Sequence, residues 1–298
     1  MGTSWSVKIV SDQPVDQQNT QSAIQSILDD VNAKMSNWEP SSDISRFNAS
    51  GSGCIEISPE TAEVVEISLE MSLLTAGVFD VTLGPLIELW GFGREFTADQ
   101  MPEAQAIESR LEQIGYDKLR LDGTGLCKDL DGLFVNLSAT AKGYGVDQVA
   151  DYLVNIGVEH YLVEVGGELR GSGLNGDSQQ WRVGIETPLD NLVSGQVQAV
   201  VELDNQALAT SGDYRNYFMH QGVRYSHILN PVTGYPVVQD LASVTVLHNS
   251  AAWADAWATA LLALGPEQGL ALAEQKNVAS YFILRSETGF EIRTSTDW

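Results

Sequence analysis

An α+β layered fold is predicted for this chain by three observations. Amphipathic helical stripes and alternating strands are both present, but they do not follow one another as regular strand–helix units. No linker, low-complexity stretch or internal repeat divides the 298 residues, so one large domain over residues 1–298 is expected. With 43% hydrophobic residues the chain can bury a large core.

The elements follow in order. Residues 4–10 alternate as a strand does, which weighs against reading Met1-Gly2 with Ser6 as a myristoylation signal. The first clear helix covers 17–35, with Ile24, Ile27, Leu28, Val31 and Met35 on one stripe. Ser58 can cap the second, Pro59 suits its first turn, and Gly77 ends it after Val64, Ile67 and Leu74. A weaker third helix lies near 102–114. A fourth starts near Ala139 and carries Val146, Val149, Leu153 and Ile156 before Gly157. Strands then dominate, at 160–165, 182–186, 196–203 and 241–247. A helix over 250–264 is closed by Gly265-Pro266, and the chain finishes with a short helix and a hairpin at 280–285 and 289–293.

Composition excludes some functions. Sixteen basic residues against forty acidic ones give a net charge of -24, a surface that repels DNA, RNA and anionic lipid. Most of that charge serves solubility. A pyrophosphate-bearing ligand entering such a field needs local positive charge, most economically a bound divalent cation. Cys54 and Cys127 lack metal-ligand spacing, and one disulfide or two free thiols fit equally well. No apolar run approaches the roughly 20 residues of a membrane span.

Several segments carry chemistry. Asp255 and Thr259 stand one helical turn apart, so both face one side of the helix. A carboxylate and a hydroxyl are hard oxygen ligands of the kind magnesium prefers. The plainer alternative is an Asp hydrogen-bonded on a core helix. Asn136-Leu137-Ser138-Ala139-Thr140-Ala141-Lys142-Gly143 places small residues at a helix start, where backbone groups stay open to a ligand. Its Lys142 is one of few cations here and either meets a phosphate or is an ordinary solvated lysine. His227 ends a strand beside the Asn230-Pro231 turn, a placement suited to a general base. Arg215 lies among aromatics in a loop and suits a phosphate or a ring. Gly171-Ser172-Gly173-Leu174-Asn175-Gly176 fits the dinucleotide fingerprint, but it leads into a strand rather than a helix and reads as a hairpin loop.

Taken together these segments resemble the ApbE family, the FAD:protein FMN transferases. The matches run in order along nearly the whole chain. They begin with Met1-Gly2-Thr3-Ser4-Trp5, Met35-Ser36-Asn37-Trp38 and Asp43-Ile44-Ser45-Arg46-Phe47-Asn48. Ala76-Gly77-Val78-Phe79-Asp80-Val81-Thr82-Leu83-Gly84-Pro85-Leu86 with Leu89-Trp90-Gly91-Phe92-Gly93 is the most distinctive stretch. The 138–143 segment, Val165-Gly166-Gly167-Glu168, Ser211-Gly212, Ser226-His227 and the 254–259 segment complete the series.

The resemblance implies a T-fold-like mixed α+β structure and a magnesium-dependent transfer of FMN from FAD to a threonine hydroxyl, with release of AMP. By position, Met1, Trp38, Val78, Phe79, Asp80, Asn136, Lys142 and Leu229 would contact FAD. Asp255, Thr259 and the Ala139 carbonyl would hold Mg2+, and His227 would deprotonate the acceptor. Asn136 stands where the family usually has Asp, and Ala258 replaces a position acidic in some relatives. The implied partners are flavoprotein subunits with an acceptor threonine, such as those of Na+-translocating NADH:quinone reductase-type complexes. Met1 aligns with an internal methionine of longer relatives, so the expected setting is the periplasmic face of a bacterial inner membrane, lipid-anchored in the full-length form. Alternatives are a magnesium-dependent FAD pyrophosphatase yielding FMN and AMP, or a flavin-binding carrier without turnover.

Overall fold

The computed structural model describes residues 2–93, 96–189 and 195–298. Among them seven strands form one antiparallel sheet whose order across the sheet is the order along the chain. They are Trp5–Val10, His160–Val165, Glu168–Ser172, Ala207–Gly212, Leu241–His248, Ala279–Ser286 and Gly289–Thr294.

The sheet is buried on both faces, and its alternation separates two cores. Tyr161, Val163 and Val165 point toward the helices Gln17–Met35 and Ala141–Asn155. Val244, Val246 and Phe282 point toward Pro59–Leu74 and Ala251–Leu264. On the opposite face Leu162 and Ile283 meet a two-stranded hairpin, Trp181–Glu186 with Val197–Leu203, through Trp181, Val183 and Ile185. Helices, sheet and hairpin thus make three layers, and the α+β expectation holds. The glycine-rich 171–176 run ends the Glu168–Ser172 strand and turns toward the Trp181–Glu186 strand, a hairpin connection as its sequence context predicts.

Two helices cross where they position the site. Gly143 lies so close to the next helix that an added Cβ would stand 2.1 Å from the Ala251 carbonyl oxygen, so only glycine fits. One turn on, buried Asp147 accepts hydrogen bonds from the Ser250 hydroxyl (2.7 Å) and from the Ala251 and Ala252 N–H groups (2.9 and 3.0 Å). A carboxylate at a helix N-terminus satisfies orphan donors and complements the dipole. Arg170 balances its charge at 2.8 Å.

A smaller sheet, which the sequence reading did not find, joins Gly53–Glu56, Gly125–Lys128 and Leu119–Asp122. Cys54 and Cys127 are register partners in it and form a disulfide. The adjoining Lys128 is buried, its ammonium donating to the Phe47 and Leu133 carbonyls (2.8 and 3.1 Å) over the Phe47 ring. The Asn48 amide brackets the Val135 backbone at 2.9 and 2.7 Å. These ties fix the segment that delivers Asn136.

Candidate active site

A cavity of about 890 Å³ opens beside the crossing helices, at the upper end of the range for small-molecule sites. Its walls include Trp38, Val78, Phe79, Asp80, Asn136, Ala139, Lys142, His227, Leu229, Asp255 and Thr259. Every sequence-predicted site residue among the described residues is therefore in one place. Met1 lies outside the described residues.

The helix side of the cavity is buried and charged. Asp255 is 2% exposed and Glu168 is 4% exposed. The Lys142 ammonium stands between them, 2.9 Å from Glu168 and 3.2 and 3.3 Å from the two Asp255 oxygens. Burial works to lower the pKa of Lys142, yet the two carboxylates overcome it and hold the ammonium above its ordinary range. Burial, and then the Asp255 charge, push the Glu168 carboxyl up to about 7 against the pull of Lys142. One Glu168 oxygen, Oε2, is buried without a hydrogen-bond partner. Lys142 is thus a paired lysine and not a freely solvated one.

Asp255 also accepts the Gly143 N–H at 3.2 Å. In a helix begun one turn earlier that N–H would bond to the Ala139 carbonyl, so the diversion leaves that carbonyl free of its usual helical donor. One turn beyond Asp255, the Thr259 hydroxyl shares a 2.9 Å hydrogen bond with Ser211 at the end of Ala207–Gly212. Among the described residues no group of three or more His, Cys, Asp or Glu could hold a metal ion. A cation here would rest on a mixed set of one carboxylate, one hydroxyl and a backbone carbonyl, all hard oxygens facing one cavity. That donor set suits Mg2+, which keeps waters and substrate phosphates as its remaining ligands. Ala258 points into the core and does not line the cavity, so the departure expected there leaves these donors untouched.

The opposite side is made of turns and a hairpin. Tyr217–His220 and Val223–Ser226 pair as two strands, and His227 follows directly. Trp90 stacks on Phe218 and Tyr225 behind this hairpin and donates its indole N–H to the Gly234 carbonyl (2.8 Å). The His227 ring nitrogen Nδ1 lies 3.2 Å from the Asn216 carbonyl, an acceptor only. Nδ1 therefore carries the hydrogen, and Nε2 keeps its lone pair. Burial holds the His227 pKa below its ordinary value, only partly offset by the Asn216 bond.

Asp80 organises its turn: it accepts from the Thr82 N–H and hydroxyl (2.7 and 2.6 Å) and from the Tyr116 N–H (3.0 Å). Burial raises its carboxyl despite those donors. Asn136 caps its own turn by accepting the Ser138 N–H at 3.0 Å, a bond that the amide oxygen makes as a carboxylate would. Trp38 stands half exposed at the cavity wall. Arg215 pairs with Glu186 at 2.9 Å and lines the same cavity.

Sequence reasoning missed the roles of Glu168, Asp147 and Ser211. Each is a single polar residue in an acidic chain, and only the packing of two distant segments gives it a partner.

Comparison with known proteins matches residues 1–282 to the ApbE family. A protein of Vibrio cholerae named FAD:protein FMN transferase is 42% identical over 300 residues, covering 100% of this chain and 89% of its own length. One of the same name from Haemophilus influenzae is 40% identical over 99% of this chain and 88% of itself. The solved structure of the flavin transferase ApbE from Vibrio cholerae superposes with a TM-score of 0.92 at 41% identity, covering 100% of this chain and 95% of that one. Fold, ordered motifs and whole-length identity agree, and the chain belongs to the ApbE family.

Proposed function

We propose that this enzyme transfers the FMN half of FAD to a threonine hydroxyl of a target protein and releases AMP, with magnesium required. The observation that carries the reading is a histidine with a free Nε2 and the Asp255–Thr259 oxygen pair lining one dinucleotide-sized cavity.

In this reading Val78, Phe79 and Leu229 offer apolar surface to the flavin or adenine, Trp38 stacks on a ring, and Lys142 and Asn136 face the pyrophosphate. Asp255, Thr259 and the Ala139 carbonyl would hold Mg2+, whose charge offsets the charge developing on the phosphate oxygens. His227 Nε2 takes the proton from the acceptor hydroxyl. The threonine oxygen then bonds to the FMN-side phosphorus, the bond from that phosphorus to the bridging oxygen breaks, and AMP leaves with that oxygen. Asn216 keeps the histidine in the required tautomer throughout.

The acceptors we propose are subunits of Na+-translocating NADH:quinone reductase-type or related electron-transfer complexes. We place the enzyme at the periplasmic face of the inner membrane; the Cys54–Cys127 disulfide supports an oxidising compartment. Among the described residues no helix is long and apolar enough to cross a membrane.

The test is to incubate the protein with FAD, MgCl2 and such a subunit and to weigh the product. A mass gain of one FMN on a threonine, with one AMP released, is expected. AMP without the adduct would favour the pyrophosphatase, and FAD binding without AMP a carrier.

A further inference from the structure

We propose that Glu168 is the second anchor of Lys142: the ammonium neutralises Asp255 while the cation site is empty, and Glu168 retains it when a divalent cation takes Asp255. The inference rests on reading Asp255 and Thr259 as cation ligands.

Three observations carry it. The Lys142 Nζ is already shared, 2.9 Å from Glu168 and 3.2 and 3.3 Å from the Asp255 oxygens. Both carboxylates are more than nine-tenths buried, and a buried carboxylate left without a partner is costly. Asp255 therefore needs the ammonium whenever no cation is present. Finally, Glu168 Oε2 is buried, unpartnered and part of a cavity-lining residue. An ammonium has three donors, so Glu168 has a spare acceptor for the one that Asp255 gives up.

The exchange settles the charge at each stage. Two carboxylates and one ammonium leave the cation-free site with one excess negative charge, which attracts a dication. Once the dication is bound the excess is one positive charge, which attracts a pyrophosphate. Without Glu168 the ammonium would have no second carboxylate to hold it and would compete with the cation for Asp255. Lys142 and Glu168 are positioning residues here, acting on cation affinity rather than on the bonds that break.

The experiment titrates MgCl2 into the FAD-free protein by calorimetry, so its readout is binding and not turnover. Lys142→Met should tighten Mg2+ binding by about tenfold, and Glu168→Gln should weaken it by about tenfold. In the Lys142→Met background, adding Glu168→Gln should change the affinity by less than about twofold, because Glu168 acts only through Lys142. Equal weakening by Glu168→Gln in both backgrounds would make Glu168 a direct ligand or a mere charge and would overturn the exchange, as would Lys142→Met failing to tighten binding. Circular dichroism checks that each variant folds, and Lys142→Gln replaces the methionine variant if that one does not. Asp255→Asn separates the two readings. If it binds Mg2+ as the parent does, the cation site itself is wrong; if it loses Mg2+ while the Lys142 and Glu168 variants change nothing, only the exchange fails.

Discussion

The two sides of the cavity are built differently. The Asp255 side is made of regular helices locked together at Gly143 and Asp147, with its two carboxylates almost fully buried. The His227 side is made of turns, a two-stranded hairpin and an exposed Trp38. Under the proposed function the division matches two needs. Charges that steady a reacting phosphate act best when fixed and dry, because a low-dielectric site strengthens them without reorganisation. A side that admits a flavin and then a protein hydroxyl has to stay open.

Four substitutions probe this contrast, in falling order of effect. Asp255→Ala removes the centre of the rigid side and should cut FMN transfer by about a thousandfold, about 4 kcal/mol, in an assay of AMP release. Near-normal turnover would show that the dry side is structural only. His227→Gln should cost about a hundredfold while leaving Mg2+ binding unchanged. Its pH profile sharpens the point. Burial lowers the His227 pKa in the folded protein, so the base form persists below the ordinary value of 6.5 and the acid limb of the rate should fall below that pH. The same sign applies to stability. The unfolded chain binds the proton more readily, so stability is full above pH 6.5 and declines as pH falls below it.

Gly143→Ala should lower stability by about 2 kcal/mol, read as a drop in the thermal midpoint, because the helices must part to admit the methyl group. Trp38→Ala should raise the KM for FAD no more than about tenfold, with kcat retained, as expected for one ring stacking at an open edge. A larger loss at Trp38 than at His227 would reverse the assignment of the two sides.

The same contrast governed what the sequence revealed. The helix side was legible from period and punctuation: the helix read over 17–35 is Gln17–Met35, Ser58 does cap Pro59–Leu74, and Ser250 starts Ala251–Leu264. The strand His160–Val165 was found at its observed bounds, while the fourth helix begins two residues later than expected, at Ala141, because Asp255 draws off the Gly143 N–H. Two strands of the main sheet and the hairpin of the open side were not legible this way. Glu168–Ser172, Ala207–Gly212 and the two strands before His227 contain serine, glycine and charged residues that blur the alternation, and their strand character comes from tertiary partners. The three-stranded sheet joins residue 54 to residue 127, a separation no local pattern encodes. Trp38 and Asp80 were assigned through the family resemblance, and His227 through that resemblance together with its place beside the Asn230-Pro231 turn, since one histidine or one tryptophan has no period.

The disulfide has a practical consequence at the bench. Cys127 adjoins Lys128, whose ammonium grips the carbonyl of Leu133, three residues before Asn136 in the cavity wall. A reducing agent in the purification buffer would therefore loosen the backing of the nucleotide pocket while leaving the crossed helices intact. Preparations kept free of thiols should take up FAD more tightly than reduced ones, with the two indistinguishable in Mg2+ uptake.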